Sequence, residues 1–334
     1  MAEHKIFELG DVLLEKGIVL PSARLGYATL GELNAAGDNV VLCPTWFTAT
    51  PSDVELVLTG EQRFLDPSRF FIVIPNHFGA GVSSSPSNTP PPFEKGRFPR
   101  VTTYDNVRAQ HRLLTEVLGI ERIRLATSWS MGACQVYHWA AMYPEMVSAI
   151  APIAGSARTC MFNKVFLAAI RRAIMSDPDW NDGFYTDKPP VNGVRLMATI
   201  YAGWGFSERF YREELFRAFG AETLDEFIEL FWEAFFVKCD ANDLLTQMWT
   251  WEHNDISRHP DYGGDLTRAL AAITARAIIL PGSTDTYFPP ADSEHEASHM
   301  PVAECRPVPT LWGHMCPLNP DSQAFIDSAL AELI

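Results

Sequence analysis

Short apolar runs along the first half of the chain alternate with longer segments that carry a helical repeat. Runs that are apolar on both faces and bounded by turn residues are typical of buried parallel strands. Strand-like runs occur at 23–30, 39–43, 69–75, 122–127 and 147–153. Helical repeats occupy 103–118, which ends at Gly119, and 131–142. This alternation predicts an α/β fold with a mostly parallel central sheet and helices on both faces.

The pattern changes after Gly155. Residues 158–270 carry helical patterns, including 163–175 and 223–237, and no convincing strand. Apolar strand patterns then return and a final helix follows, at 275–281, 304–308 and 321–333.

We therefore expect one core domain, formed by 1–157 and 271–334, that is interrupted by a helical insertion over 158–270. The insertion has roughly 110 residues, which is far longer than an ordinary connecting loop. A long insertion at the end of a sheet strand is a candidate lid (cap) over a site.

Composition narrows the class of protein. The 334 residues include 26 Lys and Arg against 41 Asp and Glu, a formal charge of −15, with no basic block, so we expect no nucleic-acid partner. The hydrophobic share of 47% excludes a disordered chain. No apolar stretch approaches the ~20 residues that a membrane span requires. The six cysteines show no CxxC spacing, so we expect reduced thiols in a soluble cytoplasmic protein.

A serine stands at the junction between the strand 122–127 and the helix 131–142. In this context a tight turn lifts the Ser130 hydroxyl above the sheet, as in the G-x-S-x-G nucleophile elbow. The turn also aims the Met131 backbone N–H at the reacting carbonyl. Ser128 takes the place of the usual first glycine, and serine is the next smallest residue that could fit there.

Two further residues follow in the order that such an elbow predicts. Asp285 lies on the loop after the strand 275–281, and His314 lies on the loop after the strand 304–308. Open α/β sheets place active-site residues beyond the carboxyl ends of their strands. We therefore expect His314 to accept the Ser130 proton and Asp285 to orient the imidazole.

An oxyanion hole requires a second backbone N–H, from a loop after an early strand. The segment 44–48 directly follows the strand 39–43, and Phe47 is the expected donor, with Trp46 as the neighbouring alternative.

One competing motif is H-E-x-x-H at 295–299, the spacing of zinc proteases. It lies in a short segment ended by Pro301, and no third ligand follows it. We therefore interpret it as a surface helix between two strands, and we expect no metal and no other cofactor.

Taken together, these residues resemble the homoserine O-acetyltransferase (MetX-like) branch of the α/β-hydrolase superfamily. The matching stretches are 44–47 (PTWF), 65–67 (LDP), 74–76 (IPN), 84–88 (SSPSN), 105–110 (DNVRAQ), 129–133 (WSMGA) and 313–314 (GH). The resemblance implies a helical lid, a Ser-His-Asp triad of Ser130, His314 and Asp285, and a covalent acyl-enzyme. It further implies Phe47 and Met131 as oxyanion donors, and often a homodimer.

The resemblance leaves the acyl acceptor open. Homoserine transferases usually carry GGSMGGMQ at the elbow, whereas 127–135 reads TSWSMGACQ, which looks more similar to the esterase subgroup. The first hypothesis is therefore a serine carboxylesterase for short-chain acyl esters. The alternative is an acetyl-CoA-dependent O-acetyltransferase acting on homoserine or another alcohol, for which Arg158, Arg171 or Arg172 would have to bind the charged acceptor. The third is a non-catalytic binding protein with the same fold.

Overall fold

The computed structural model describes residues 3–334, and Met1 and Ala2 lie outside the described residues. The strands are β1 Lys5–Leu13, β2 Val19–Leu30, β3 Val40–Leu42, β4 Phe71–Pro75, β5 Leu125–Trp129, β6 Ala149–Ile153, β7 Arg276–Ile279 and β8 Ala303–Cys305. Across the described residues these eight form one sheet in the order β1-β2-β4-β3-β5-β6-β7-β8. The pairs β1-β2 and β2-β4 are antiparallel. The pairs from β4 to β8 are parallel, which confirms the predicted mostly parallel sheet.

The helices lie between and beyond these strands. Their bounds are α1 Pro51–Leu58, α2 Thr103–Arg112, α3 Met131–Met142, α4 Met161–Met175, α5 Val191–Gly205, α6 Glu208–Arg212, α7 Leu224–Phe227, α8 Ala234–Phe236, α9 Ala241–Glu252, α10 Leu266–Ala271, α11 Pro290–Ser298 and α12 Pro320–Leu333. A π-helical turn, Leu113–Val117, extends α2, and a second, Ile228–Glu233, joins α7 to α8.

Both faces of the sheet are buried. Because successive side chains of a strand point to opposite faces, neighbouring residues of one strand belong to different apolar clusters. In β3, Val41 belongs to one apolar cluster, and Val40 and Leu42 belong to the other. In β4, Ile72 and Val73 divide in the same way. These fully apolar strands are the ones that the sequence pattern predicts at 39–43 and 69–75.

The segment between β6 and β7 contains α4 to α10. Its interior is largely aromatic: Phe206 stacks on Phe210 with ring centroids 3.9 Å apart, and Tyr201 packs against Trp232 and Phe236. Offset-stacked and edge-on ring pairs stabilise the fold beyond what the burial of their apolar area contributes. Within the described part of the chain, none of the helices is long and apolar enough to cross a membrane.

The sequence pattern did not predict β1 or α1. Most residues of β1 are exposed, and the strand pairs only with β2 at the edge of the sheet, through two register shifts. Helix α1 begins at Pro51 after a capping box in which Thr50 and Asp53 satisfy each other's backbone N–H groups. Helix α3, by contrast, has the predicted bounds.

We expect Gly155→Ala to destabilise the protein by about 1–3 kcal/mol, because overpacking a core strains its neighbours. A Cβ at Gly155, just beyond β6, would lie 2.4 Å from the Ala133 Cβ and 3.0 Å from the Ser130 carbonyl oxygen. The matched control is Gly203→Ala in α5, where a Cβ has no neighbour within 4 Å. Alanine should stabilise that helix by about 0.5–1 kcal/mol. Urea unfolding measures both, and equal stabilities for the two variants would contradict this packing.

Candidate active site

Ser130 occupies the sharp turn between β5 and α3. Its backbone has φ 58° and ψ −127°, an unusual conformation for a residue with a side chain. The Ser130 N–H donates to the Ile153 carbonyl at 2.9 Å, and the Ser130 carbonyl accepts from the Cys134 N–H at 3.1 Å. Bonds to β6 and to α3 therefore hold the strained turn, and the serine hydroxyl stands at the carboxyl end of β5.

The structure explains how the turn accommodates Ser128 instead of glycine. The Ser128 hydroxyl donates to the Pro44 carbonyl at 2.6 Å. A Cβ on Gly132 would lie 2.3 Å from the Ser128 Oγ and 2.5 Å from the Pro44 oxygen. Because Gly132 has no Cβ, the Ser128 side chain fits beside it. The Ser128 hydroxyl then links the turn to the start of the 44–49 loop by a hydrogen bond.

Ser130, His314 and Asp285 come together in a single chain of hydrogen bonds. The His314 Nε2 lies 2.8 Å from the Ser130 Oγ, and its Nδ1 lies 2.8 Å from the Asp285 Oδ2. A carboxylate only accepts, so Nδ1 carries the imidazole proton and Nε2 is free to accept from the serine hydroxyl. These three predicted residues lie 29 to 184 positions apart in the chain, and the structure brings them together.

The Asp285 carboxylate is fixed by more than the imidazole. Its Oδ1 accepts from the Tyr287 N–H at 2.7 Å and from the Phe288 N–H at 3.1 Å. The side chains of Asp285 and His314 are 0% and 2% exposed, so solvent does not compete for the bond between them. This geometry keeps the histidine in the tautomer that general-base chemistry requires.

The two predicted oxyanion donors are Met131, which directly follows Ser130 in the chain, and Phe47, which lines the same cavity as Ser130. Met131 is the first residue of α3, so its N–H has no acceptor within the helix. Phe47 lies in the 44–49 loop and lines the same cavity as Ser130, and across residues 3–334 its N–H donates to no acceptor. A backbone N–H left without an internal partner beside a nucleophile is available to a substrate oxygen.

Ser130 and His314 open into an apolar cavity of about 260 Å³. The core contributes Trp46, Phe47, Trp129, Met315 and Leu318 to its wall. Helix α5 and the segment from α7 to α8 contribute Tyr201, Phe231, Trp232, Phe235 and Phe236. A cavity of this size and lining fits a small uncharged molecule.

The described lining of the cavity includes no arginine or lysine. Arg158 forms an ion pair with Asp255 at 2.9 Å, and Arg171 pairs with Glu252 at 3.1 Å. Arg172 is exposed on α4. The three arginines that could have bound a charged acceptor therefore lie elsewhere.

Residues 295–299 form part of α11 and its end. Glu296 is buried and accepts from the Ala157 N–H at 2.8 Å, whereas His295 is exposed. Among residues 3–334 no group of three or more His, Cys, Asp or Glu side chains is arranged to hold a metal ion. Burial raises the pKa of Glu296 to about 8.

A tryptophan to which no sequence motif assigned a role supports His314. The Trp129 indole N–H donates to the His314 carbonyl oxygen at 3.0 Å, and the two ring centroids are 5.3 Å apart. Trp129, the residue before Ser130, thus holds the loop that carries His314 in place. The sequence carries no signal for this bond, because its partners are 185 positions apart.

We expect Glu296→Gln to change how stability depends on pH. The folded pKa of about 8 lies above the ~4.3 of an unfolded glutamate, so the folded protein retains a proton that the unfolded chain has lost. The stability from this group is present below about pH 4 and is lost as the pH rises through about 8. Glutamine never ionises, so the variant does not lose this stability as the pH rises. The difference in free energy of unfolding, variant minus unsubstituted protein, should therefore increase from pH 5 to pH 9. Urea unfolding at both pH values tests this, and a constant difference would contradict it.

The chain matches the alpha/beta hydrolase fold family over residues 38–313. It is 38% identical to the ethyl acetate hydrolase of Pseudomonas veronii, over 99% of this chain and 96% of that protein. The solved structure of the acetyl esterase MekB superimposes with a TM-score of 0.97 and 36% identity, over 99% of this chain and 96% of that one.

Acyltransferases are also among its relatives. The homoserine O-acetyltransferase of Trichormus variabilis is 32% identical, over 90% of this chain and 86% of that protein. These matches confirm the predicted fold and the predicted relationship to both esterases and homoserine O-acetyltransferases. The chain therefore belongs to the α/β-hydrolase fold family.

Proposed function

We propose that this protein is a serine carboxylesterase that hydrolyses short-chain acyl esters through an acyl-enzyme. The observation that carries this function is the hydrogen-bonded chain Ser130–His314–Asp285 at an apolar cavity. A pure binding protein has no need for a buried nucleophile, base and orienting acid in this geometry. The relatives named as ethyl acetate hydrolase and acetyl esterase, which match over nearly the whole chain, also support hydrolysis.

In the first half of the reaction, the Ser130 oxygen attacks the ester carbonyl carbon. His314 Nε2 takes the hydroxyl proton as the carbon–oxygen bond forms, and Asp285 stabilises the resulting imidazolium. The carbonyl oxygen becomes an oxyanion that accepts from the Met131 and Phe47 N–H groups. Collapse of this intermediate expels the alcohol, which leaves with the proton from His314, and Ser130 remains acylated.

In the second half, water replaces the alcohol. His314 accepts a proton from this water as its oxygen attacks the acyl carbon, and the same two N–H groups hold the second oxyanion. The bond to the Ser130 oxygen then breaks, His314 returns the proton to the serine, and the carboxylic acid departs. The balance is one ester and one water consumed, with one acid and one alcohol released.

Residues 158–270 serve in this proposal as a lid over a core formed by 1–157 and 271–334. The insertion supplies five of the sixteen residues that line the cavity, all of them aromatic, among them Tyr201, Trp232 and Phe236. An aromatic roof displaces water around the substrate, which strengthens the hydrogen bonds to the oxyanion.

Acyl transfer to homoserine is the second candidate, and the homoserine O-acetyltransferase relative favours it. Its acceptor carries both an ammonium and a carboxylate, and each would need a charged partner in an apolar cavity. Asp53 lines the cavity, but no arginine or lysine does so in the described lining, and Arg158 and Arg171 are engaged in ion pairs. Uncharged esters fit this lining better.

Ser130→Ala should leave the protein folded and reduce ester turnover by at least about 10³-fold, because the oxyanion donors alone give little turnover. Acetate release from ethyl acetate measures it. The control is Ser176→Ala, since the Ser176 hydroxyl at the end of α4 donates to the local Ala173 carbonyl and, among residues 3–334, to no other group. A Ser130→Ala protein that retains substantial turnover would contradict the mechanism.

With ethyl acetate and homoserine together, we expect free acetate as the main product, because the cavity lacks a cation for the amino-acid carboxylate. Proton NMR distinguishes acetate from O-acetylhomoserine, and Ser130→Ala gives the background for both. O-acetylhomoserine as the main product would establish acyl transfer in place of hydrolysis.

A further inference from the structure

A glutamine from the helical insertion contacts the 44–49 loop beside the nucleophile. Gln247, on α9, accepts from the Thr48 N–H through its Oε1 at 2.7 Å. Its Nε2 donates to the carbonyls of Gly79 at 3.0 Å and Asp243 at 3.2 Å. The side chain is 2% exposed. These three hydrogen bonds fix the Gln247 side chain in a single orientation against Thr48, the residue directly after Phe47.

A buried histidine completes this contact. The His77 Nε2 lies 3.3 Å from the Gln247 Oε1, and the His77 Nδ1 lies 2.9 Å from the Thr45 Oγ1. Because the Gln247 amide group already donates to two carbonyls, its oxygen is the acceptor, and His77 must carry its proton on Nε2. Its Nδ1 then accepts from the Thr45 hydroxyl. Burial lowers the pKa of His77 to about 4, which keeps the ring neutral.

The backbone at Thr48 requires such support. Thr48 has φ 68°, in the left-handed region that a β-branched residue rarely adopts. The two ends of the loop are held by the core, where Gln135 donates to the Thr45 carbonyl at 2.8 Å and Asn76 donates to the Ala49 carbonyl at 3.1 Å. Gln247 binds the strained residue between those ends.

We propose that Gln247, oriented by His77, is a positioning residue that aims the Phe47 N–H at the oxyanion and so couples the seating of α9 to catalysis. The inference rests on the proposed role of Phe47 as an oxyanion donor. Rotation of the Phe47–Thr48 backbone would move the donor out of line, and a hydrogen bond weakens steeply with angle. Neither Gln247 nor His77 is among the described residues that line the cavity, which favours a role through the 44–49 loop over direct contact with the substrate.

This position predicts a selective kinetic effect. Loss of an oxyanion donor removes stabilisation of the transition state and leaves ground-state binding largely intact, so kcat falls while KM stays nearly constant. Outright loss of such a donor costs about 10²–10³-fold. For a misdirected donor we expect roughly a 10- to 100-fold fall in the acylation rate. The midpoint of the pH profile should not move, because the triad is intact.

The test compares four proteins: unsubstituted, Gln247→Met, Gln247→Glu and Thr250→Val. Methionine matches the length of glutamine but removes the acceptor. Glutamate, which burial keeps protonated, retains an oxygen that can accept from the Thr48 N–H and an O–H that can donate to the Gly79 carbonyl. Thr250 is the matched control, since it is buried one turn further along α9 and its hydroxyl donates to the Val101 carbonyl, away from the loop. Circular dichroism and thermal unfolding establish folding. Gln247→Asn, which withdraws the amide by one methylene, replaces a methionine variant that does not fold.

Two rates are measured. One is kcat and KM for ethyl acetate, with its pH profile. The other is the rate constant for covalent labelling of Ser130 by a small p-nitrophenyl methylphosphonate, followed by mass spectrometry. The phosphoryl oxygen of that probe occupies the oxyanion site, and labelling requires no hydrolytic turnover.

We expect Gln247→Met to lose at least tenfold in kcat and in labelling rate at constant KM, with an unchanged pH midpoint. Gln247→Glu should recover most of both rates, and Thr250→Val should match the unsubstituted protein. A folded Gln247→Met protein within threefold of the unsubstituted rates would overturn the inference, as would an equal loss in Thr250→Val. An unsubstituted protein that is labelled but releases no acetate would contradict hydrolysis, while the ratio of labelling rates would still decide the role of Gln247.

Discussion

The turn at Ser130 and the 44–49 loop approach each other closely, and the geometry of the whole site follows from this contact between two backbone segments. Strands β3 and β5 are parallel neighbours, so both segments leave the sheet at the same edge. A Cβ on Gly132 would lie 2.5 Å from the Pro44 oxygen, and Ser128 bridges the remaining gap with its hydroxyl. This approach places the Ser130 hydroxyl, the proposed nucleophile, in the same apolar cavity as Phe47, one of the two proposed oxyanion donors.

The other two groups of the proposed triad are held in place by hydrogen bonds within the protein. Asp285 and His314 follow β7 and β8 at the same edge of the sheet, and backbone N–H groups hold the carboxylate while Trp129 holds the histidine loop. Dipoles that are already oriented need no rearrangement when charge develops in the transition state. The described lining of the cavity includes Asp53 but no arginine or lysine, so it offers no cation to the carboxylate of a zwitterionic acceptor, in keeping with the proposed use of water as the acyl acceptor.

Sequence reasoning succeeded where a local pattern carries the structural information. Continuous apolar runs predicted the inner strands, and the strand-to-helix junction with an acid and a histidine in order pointed to Ser130, Asp285 and His314, which the structure brings within hydrogen-bond distance. It failed for β1, whose mostly exposed residues carry no burial pattern. It also failed for His77 and Gln247, which lie 170 positions apart and are hydrogen-bonded only through the tertiary fold.

Identifying the residue that becomes acylated tests the proposed acyl-enzyme on Ser130 directly. Rapid quenching during turnover of p-nitrophenyl acetate, followed by proteolysis and mass spectrometry, locates any covalent acetyl group. We expect one acetyl group per chain, on Ser130, which appears with the burst of p-nitrophenol and disappears when the ester is exhausted. Steady turnover with Ser130 unmodified, or with the acetyl group on another residue, would contradict hydrolysis through a Ser130 acyl-enzyme.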